Sequence, residues 1–400
     1  MARKTTKKNE IRFAEELILN RFLLNQIGFE DFKDLSNTLK PAKEGWKEDG
    51  NSYFYDFLIN SSFFSNTQID KDTLLGYDMN IARHTKSMQG KRPDPIVWKY
   101  FQWACLLFTE IFLDKFFTDS PKLLQDLNAF KQSHAEWDYI PSYTLEDINK
   151  VAIWNATGSG KTLLMHVNLL QYKHYLAKHH KEDSLNKILL ITPNEGLSRQ
   201  HLDNLNLSQI PAEFFDKNAG SLFSKDVLQI IDIPKLKKVG KVKTISVESF
   251  EDNNLVFVDE VHKGSQGEKW KENRDKLSAN GFAFEYSATL GQAIKSSKDK
   301  SLEEEYAKTT LFDYSYKWFY EDGYGKDYRI LNLKDDANQE IRNLYLVGCL
   351  LSFYQQLLVW ENNQKESQLF NIEKPLWVFV GATVVKGRNK NSAQQISDVI

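Results

Sequence analysis

The chain has 400 residues, 41% of them hydrophobic and 26% charged, and its formal net charge is -2 at pH 7. This composition predicts a folded chain with roughly two or three domains, in which any nucleic-acid surface must come from local basic patches. The two cysteines lie far apart, which excludes a disulfide framework and a zinc cluster built on cysteine pairs. No signal peptide or membrane span is recognisable, so we expect a cytoplasmic protein.

The first part of the chain, residues 1–90, is predicted to be α-rich. Its stretch "IRFAEELILNRFLLNQIGF" carries apolar residues at helical spacing. Pro93 and Pro95 then end one segment before a long helix that begins near Val97. We therefore place a domain boundary near residue 90. The N-terminal region either docks a partner subunit or braces the next domain.

Residues 91–298 predict an α/β domain with a doubly wound parallel sheet. Short apolar runs such as "VAIWN", "KILLIT", "LVFVDEV" and "FAFEYSAT" alternate with amphipathic stretches. Runs of this length, separated by helices, are typical of strands buried on both faces.

The remaining residues predict a connector and the beginning of a further domain. Residues 299–372 are charged at first, then mixed and helical. From residue 373 the stretch "KPLWVFVGATVV" has the pattern of a new buried strand. We interpret residues 373–400 as the start of a second α/β domain of the same type.

A phosphate-binding loop is predicted where "NATGSGKT" links a strand to a helix. Glycines allow backbone N–H groups to converge on phosphate oxygens, and the helix N-terminus favours negative charge. Lys161 would reach the β and γ phosphates of ATP, and Thr162 would bind Mg²⁺. The first position is Asn155, where the strict pattern has glycine. The predicted nucleotide-binding residues are Ala156, Thr157, Gly158, Ser159, Gly160, Lys161 and Thr162.

A second site is predicted at the end of the strand in "LVFVDEVHKG". Asp259 would hold Mg²⁺ through water, and Glu260 would orient or deprotonate the attacking water. Alone, a charge pair at a strand end is often only solvated surface. Together with the phosphate loop it indicates ATP hydrolysis.

Three motifs in order resemble those of superfamily 2 helicases and translocases of the DEAD/DEAH-box type: the phosphate loop, "DEVH" at 259–262 and "SAT" at 287–289. The chain looks most like the type III restriction enzyme Res subunit group. This resemblance implies a RecA-like fold. It also implies that Ser287 and Thr289 couple hydrolysis to domain movement, and that His262 links the carboxylate site to them.

The same resemblance extends to "ITPNEGLSRQH", which is similar to the motif that touches the nucleic-acid strand; there it implies contacts by Thr192, Pro193 and Asn194. Gln102 stands where such proteins often carry a glutamine that recognises adenine, separated here by an inserted polar segment at about 118–148. A surface glutamine on a helix is the other interpretation.

A cluster of lysines in "PKLKKVGKVK" is a further candidate for nucleic-acid binding, through Lys235, Lys237 and Lys238. Clustered lysines neutralise phosphates without reading the sequence. Such runs are also common on ordinary solvated surfaces.

The sequence therefore favours an ATP-dependent nucleic-acid motor, on DNA rather than RNA, that uses ATP and Mg²⁺. The resemblance further suggests a restriction or phage-defence role with partner subunits. The alternative is a nucleotide-gated scaffold that grips DNA or a partner without translocation. No arginine motif of a second RecA-like domain is recognisable. Either another chain supplies the arginine or, as we expect, this is a fragment that hydrolyses ATP poorly by itself.

Overall fold

A computed structural model describes residues 13–215, 226–236, 250–260, 268–297, 299–325, 339–369 and 372–378. The chain divides into two compact units, Met1–Lys326 and Asp327–Ile400. The finer division at residues 90, 298 and 372 remains a prediction.

The first unit is built on a parallel sheet. Among the described residues it has seven strands: β1 (Lys150–Asn155), β2 (Ile188–Thr192), β3 (Ala212–Phe214), β4 (Leu228–Asp232), β5 (Leu255–Asp259), β6 (Phe282–Ser287) and β7 (Thr310–Tyr314). Their order is β3-β4-β2-β5-β6-β1-β7, and each neighbouring pair is parallel. The predicted α/β fold of RecA-like type is confirmed.

Helices cover both faces of this sheet. They are α1 (Ile18–Gln26), α2 (Phe32–Leu39), α3 (Tyr53–Ile59), α4 (Lys71–Ser87), α5 (Tyr100–Gln132), α6 (Lys161–Lys178), α7 (Glu195–Leu207), α8 (Glu268–Leu277), α9 (Leu290–Ser297), α10 (Lys300–Thr309) and α11 (Tyr316–Glu321). Parallel strands need such crossover helices, because consecutive strands must start from the same edge.

Alternate residues of each strand enter two separate cores. Leu255 and Phe257 of β5 pack into the larger cluster, which includes residues of α1, α5 and α6. Val256 and Val258 face the opposite side, where residues of α8, α9 and α10 complete the smaller cluster. Since side chains alternate along a strand, Asp259 belongs to the same face as Phe257, the face of α6.

The N-terminal helices pack against the sheet as part of the first unit. The side-chain Nδ2 of Asn20 in α1 donates to the backbone oxygen of Leu311 in the edge strand β7, at 3.0 Å. The guanidinium of Arg21 lies 4.8 Å from the ring centre of Trp137. Thus α1 covers a sheet edge that would otherwise expose unpaired backbone groups.

Helix α5 is bent where the sequence predicts an inserted polar segment. Asp119 has non-helical angles (φ -157°, ψ 84°), and Pro121 follows it. The carboxylate of Asp119 accepts from the N–H of Lys122 at 2.9 Å, so it caps the second half of the helix. The segment after 118 therefore continues α5 as far as Gln132 and then forms turns.

A buried polar network joins α5, α6 and β6. The Glu110 carboxylate accepts hydrogen bonds from Gln171 and Tyr175, both at 2.8 Å. Asn168 donates to the Gln171 side-chain oxygen at 2.9 Å and accepts from the Tyr286 hydroxyl at 2.7 Å. Burial raises the pKa of Glu110 to about 7, and these hydrogen bonds oppose the rise.

The second unit contains α12 (Gln339–Asn362) and α13 (Gln364–Leu369). Residues 372–378 form neither helix nor strand, and the rest of the predicted strand, from residue 379, lies outside the described residues. The second RecA-like domain therefore remains a prediction. None of the described helices is both long and apolar enough to cross a lipid bilayer.

Candidate nucleotide-binding site

The predicted motifs meet at the carboxyl edge of the sheet. Trp154 of β1 lies beside Ser287 of β6, and Asp259 of β5 lies beside Tyr286. In parallel strands all carboxyl ends point to one edge, which is where open α/β sheets bind ligands. The phosphate loop, the carboxylates and the "SAT" motif therefore share one edge.

The loop between β1 and α6 has the backbone of a phosphate cradle. Gly158 and Gly160 adopt left-handed angles (φ 86° and 90°), which glycine tolerates at low cost. Gly160 is also the N-cap of α6 and offers no side chain to the first turn. The amides at this helix N-terminus thus remain available for an anion.

Lys161 lies across its own loop. Its Nζ donates to the backbone oxygens of Asn155 at 3.2 Å and Ala156 at 3.4 Å. Burial lowers the pKa of this lysine, while Glu260 and Asp259 act in the opposite direction. Both carboxylates therefore stabilise the charged form of the lysine.

Buried polar atoms without partners line the loop. Among the described residues, neither amide atom of Asn155 has a hydrogen-bond partner, nor has the Ser159 hydroxyl. Both side chains are almost fully buried. Buried polar groups normally have partners, so these atoms fit a site completed by a ligand. Thr162 and Asp259 offer oxygen atoms, the ligands that Mg²⁺ prefers.

Gln102 contacts this loop directly. Its Nε2 donates to the backbone oxygen of Ser159 at 2.8 Å, and its Oε1 accepts from the N–H of Lys99 at 2.9 Å. A Cβ atom on Gly160 would lie 2.4 Å from Gln102 Nε2. This half-buried glutamine therefore braces the loop; recognition of adenine remains a prediction.

The two candidate catalytic carboxylates differ in their surroundings. Asp259 is 7% exposed, and its Oδ2 accepts from Nε2 of His201 in α7 at 2.8 Å. Glu260 follows in a left-handed conformation (φ 56°), which costs a residue with a Cβ about 1–2 kcal/mol. Strained conformations of this kind are concentrated at functional sites.

The "SAT" motif is held from β1. The indole of Trp154 donates to the backbone oxygen of Ala288 at 3.3 Å, and the hydroxyl of Ser287 accepts from the N–H of Thr289 at 3.2 Å. Gly291 then packs so closely that a Cβ there would lie 2.6 Å from the Trp154 ring. The turn after β6 is thus tied to the strand that carries the phosphate loop.

The candidate strand-contacting motif after β2 is partly buried. The hydroxyl of Thr192 is inside the protein, 2.6 Å from the hydroxyl of Ser198. The Asn194 side chain accepts from the N–H of Leu197 at 2.9 Å and caps α7. Of the three predicted contact residues, Asn194 is exposed and Pro193 half-buried. The Thr192 hydroxyl also fixes the start of α7, and contact of the three residues with nucleic acid remains a prediction.

A family model described as "Type III restriction enzyme, res subunit" matches residues 122–292. This region holds the phosphate loop and both later motifs. Residues 122–292 are therefore similar to a family of superfamily 2 helicase-like proteins.

The comparisons with curated proteins and with solved structures give less information than the family model. No curated protein matches the chain. Among solved structures, the "Sulfolobus solfataricus SWI2/SNF2 ATPase core in complex with dsDNA" is 14% identical, with a TM-score of 0.26. The match covers 43% of this chain and 34% of that one, so this helicase-like chain spans about a third of the length of that structure.

Several residues predicted for the helicase-like site lie outside the described part. They are His262, Lys237 and Lys238. Lys235 belongs to a short 3₁₀ turn, Ile233–Leu236, whose backbone alone is described at that position.

The sequence did not point to His201 or Trp154 as members of the site. For His201 a signal exists: Ser198, His201 and Leu205 are the buried residues of α7, and their spacing marks one helix face. A polar pair on such a face indicates contacts with other polar groups of the interior.

Proposed function

We propose that this protein is an ATP-dependent motor that moves along, or separates the strands of, nucleic acid, with DNA as its track. The observation that carries the proposal is that the phosphate loop with Lys161, which follows β1, and Asp259 and Glu260, at the end of β5, lie at one edge of the parallel sheet. This arrangement is suited to phosphoryl transfer, which depends on positioning and charge stabilisation.

The residues divide the chemistry among them. The amides at the start of α6 and the Lys161 ammonium would bind the phosphates of ATP. Thr162 and Asp259 would hold Mg²⁺, which neutralises charge on the transferred phosphoryl group. Glu260 would orient the attacking water and accept its proton.

A motor moves along nucleic acid only if ATP hydrolysis changes its affinity for the nucleic acid. Ser287 and Thr289 lie in the turn that Trp154 ties to β1, so a shift in the phosphate loop reaches this turn through one strand. Pro193 and Asn194, which follow β2 at the same edge of the sheet, would contact the nucleic-acid strand. The preference for DNA, and a role in restriction or phage defence with partner subunits, are supported by the Res family match.

The test is ATP hydrolysis by the protein with and without double-stranded DNA, single-stranded DNA and RNA. We expect stimulation by DNA. Glu260→Gln should bind ATP normally but hydrolyse it more slowly by a factor on the order of 10²–10⁴. Glu251→Gln is the matched control, because Glu251 shares the left-handed conformation (φ 56°) but precedes β5.

Two outcomes would count against the motor. Hydrolysis indifferent to all three nucleic acids would favour the nucleotide-gated scaffold. Unchanged hydrolysis in Glu260→Gln would remove this carboxylate from the reaction.

A further inference from the structure

His201 connects the helix of the candidate strand-contacting motif to the candidate magnesium carboxylate. Its imidazole is 2% exposed, and its Nε2 lies 2.8 Å from Asp259 Oδ2. The two residues are 58 positions apart in the chain. The hydrogen bond therefore joins α7 to the end of β5 inside the protein.

The other end of the same helix is fixed at the surface that would meet nucleic acid. Asn194 caps α7, and the Thr192 and Ser198 hydroxyls hold its first turn against the end of β2. His201 follows Asn194 by about two helical turns. A displacement of the exposed N-terminus of α7 is thus transmitted along a rigid helix to the imidazole.

The surroundings of His201 are polar but incompletely paired. Among the described residues its Nδ1 is buried without a hydrogen-bond partner, and so is Nε2 of His166 in α6. Nδ1 of His166 lies 2.7 Å from the Ser208 hydroxyl just after α7. A nitrogen that is buried without a hydrogen-bond partner destabilises a fold, and such atoms are rare. The packing around His201 and His166 therefore leaves polar atoms unsatisfied.

We propose that His201 is a positioning residue that couples nucleic-acid occupancy at the start of α7 to the orientation of Asp259, and so to the affinity for Mg²⁺-nucleotide. This inference rests on the proposed function. Held by His201, one carboxylate oxygen is fixed, and the other would remain available to hold Mg²⁺. Coupling of this kind is reciprocal, so Mg²⁺-nucleotide also strengthens nucleic-acid binding.

The experiment measures binding of a fluorescent ATP analogue to the full chain as Mg²⁺ is titrated, with and without double-stranded DNA. In the unaltered protein we expect DNA to lower the Mg²⁺ concentration needed for half-maximal binding. In His201→Ala that concentration should rise on the order of tenfold or more. DNA should no longer change it, whereas binding without metal should stay the same.

Two further variants separate positioning from simple stability. His201→Gln keeps a side-chain N–H donor, so we expect it to restore most of the DNA effect; it also serves if the alanine variant fails to fold. Ser208→Ala removes the nearby hydrogen bond to His166 without touching Asp259, and should leave the Mg²⁺ titration unchanged.

The results distinguish failure of this inference from failure of the proposed function. If DNA shifts the Mg²⁺ titration equally in the unaltered protein and in both His201 variants, the histidine is only a structural contact. If DNA neither binds the unaltered protein nor stimulates its ATP hydrolysis, the proposed motor function is wrong, and the proposed coupling through His201 is wrong as well.

Discussion

Two buried polar regions of this protein differ in how completely their hydrogen bonds are made. In the network of α5, α6 and β6, Glu110, Gln171 and Asn168 all have partners. At the carboxyl edge of the sheet, Asn155 and Ser159 have buried atoms with none among the described residues. Both regions flank α6; the first holds the fold, and under the proposed function the second would be completed by ATP.

This contrast separates stability from function. Removing a group from the network leaves its partners buried and unsatisfied, which costs about 1–3 kcal/mol. Removing a group that has no protein partner leaves no other buried group without a hydrogen bond. Substitutions in the network should therefore lower the free energy of unfolding, and those at the edge should lower nucleotide binding or hydrolysis.

Among the variants that test this contrast, the largest effect is expected at Lys161. Replacing it with alanine should slow ATP hydrolysis by a factor on the order of 10²–10³, the usual loss when one stabilising donor is removed. The free energy of unfolding should change little, because the burial that disfavours the lysine charge offsets the hydrogen bonds of Nζ to Asn155 and Ala156. Steady-state hydrolysis and urea unfolding check both parts. Lys173→Ala is the control, since Lys173 is on the same helix and pairs only at the surface; equal losses in both variants would contradict the assignment.

A pH effect should come from the network. The pKa of Glu110 is raised to about 7 from its ordinary 4.5, so between these values the folded state holds a proton that the unfolded state releases. Stability therefore decreases as pH rises through this window, by about 3 kcal/mol from this residue. Urea unfolding from pH 4 to 8 should show a flatter profile for Glu110→Gln than for the unaltered protein. Parallel profiles would show that Glu110 titrates normally.

A smaller loss is expected for Tyr175→Phe, which removes one donor from the Glu110 carboxylate. A hydrogen bond to a charged group contributes about 1.5–3 kcal/mol, so unfolding at pH 8 should become easier by that amount. Tyr143→Phe provides the comparison, because this buried tyrosine donates to the neutral backbone oxygen of Lys308; its cost should be nearer 1 kcal/mol. Hydrolysis should survive in both, and its loss in Tyr175→Phe would mean that the network serves the reaction.

The smallest change in stability is expected for Asn155→Leu. No protein hydrogen bond of the side chain is lost among the described residues, so the free energy of unfolding should stay constant or rise by about 1 kcal/mol. ATP affinity should nevertheless decrease. The same substitution at Asn168, which bonds to Thr109, Gln171 and Tyr286, should lower the free energy of unfolding and leave ATP affinity unchanged. Calorimetry and an ATP-binding titration compare the two variants.

The sequence alone predicts the strands and the phosphate loop of this structure, but not the contacts between residues that are far apart in the chain. Apolar runs predict the strands, and the phosphate loop is recognisable because its residue types follow from its chemistry. The bond between His201 and Asp259 was not predictable, since it depends on strand order and on how α7 packs. The role of the Thr192 hydroxyl was likewise not predictable: it is buried against Ser198 in the first turn of α7, and contact of this residue with nucleic acid stays a prediction.

The contact between Asn20 and Leu311 limits how the protein can be shortened. A chain that starts at residue 91 would retain every recognisable motif but lose α1. Strand β7 would then present free backbone groups along an apolar edge, the arrangement from which strands of separate molecules pair and precipitate. We therefore expect α1 to reduce self-association through β7, and a soluble minimal version of this domain should retain it.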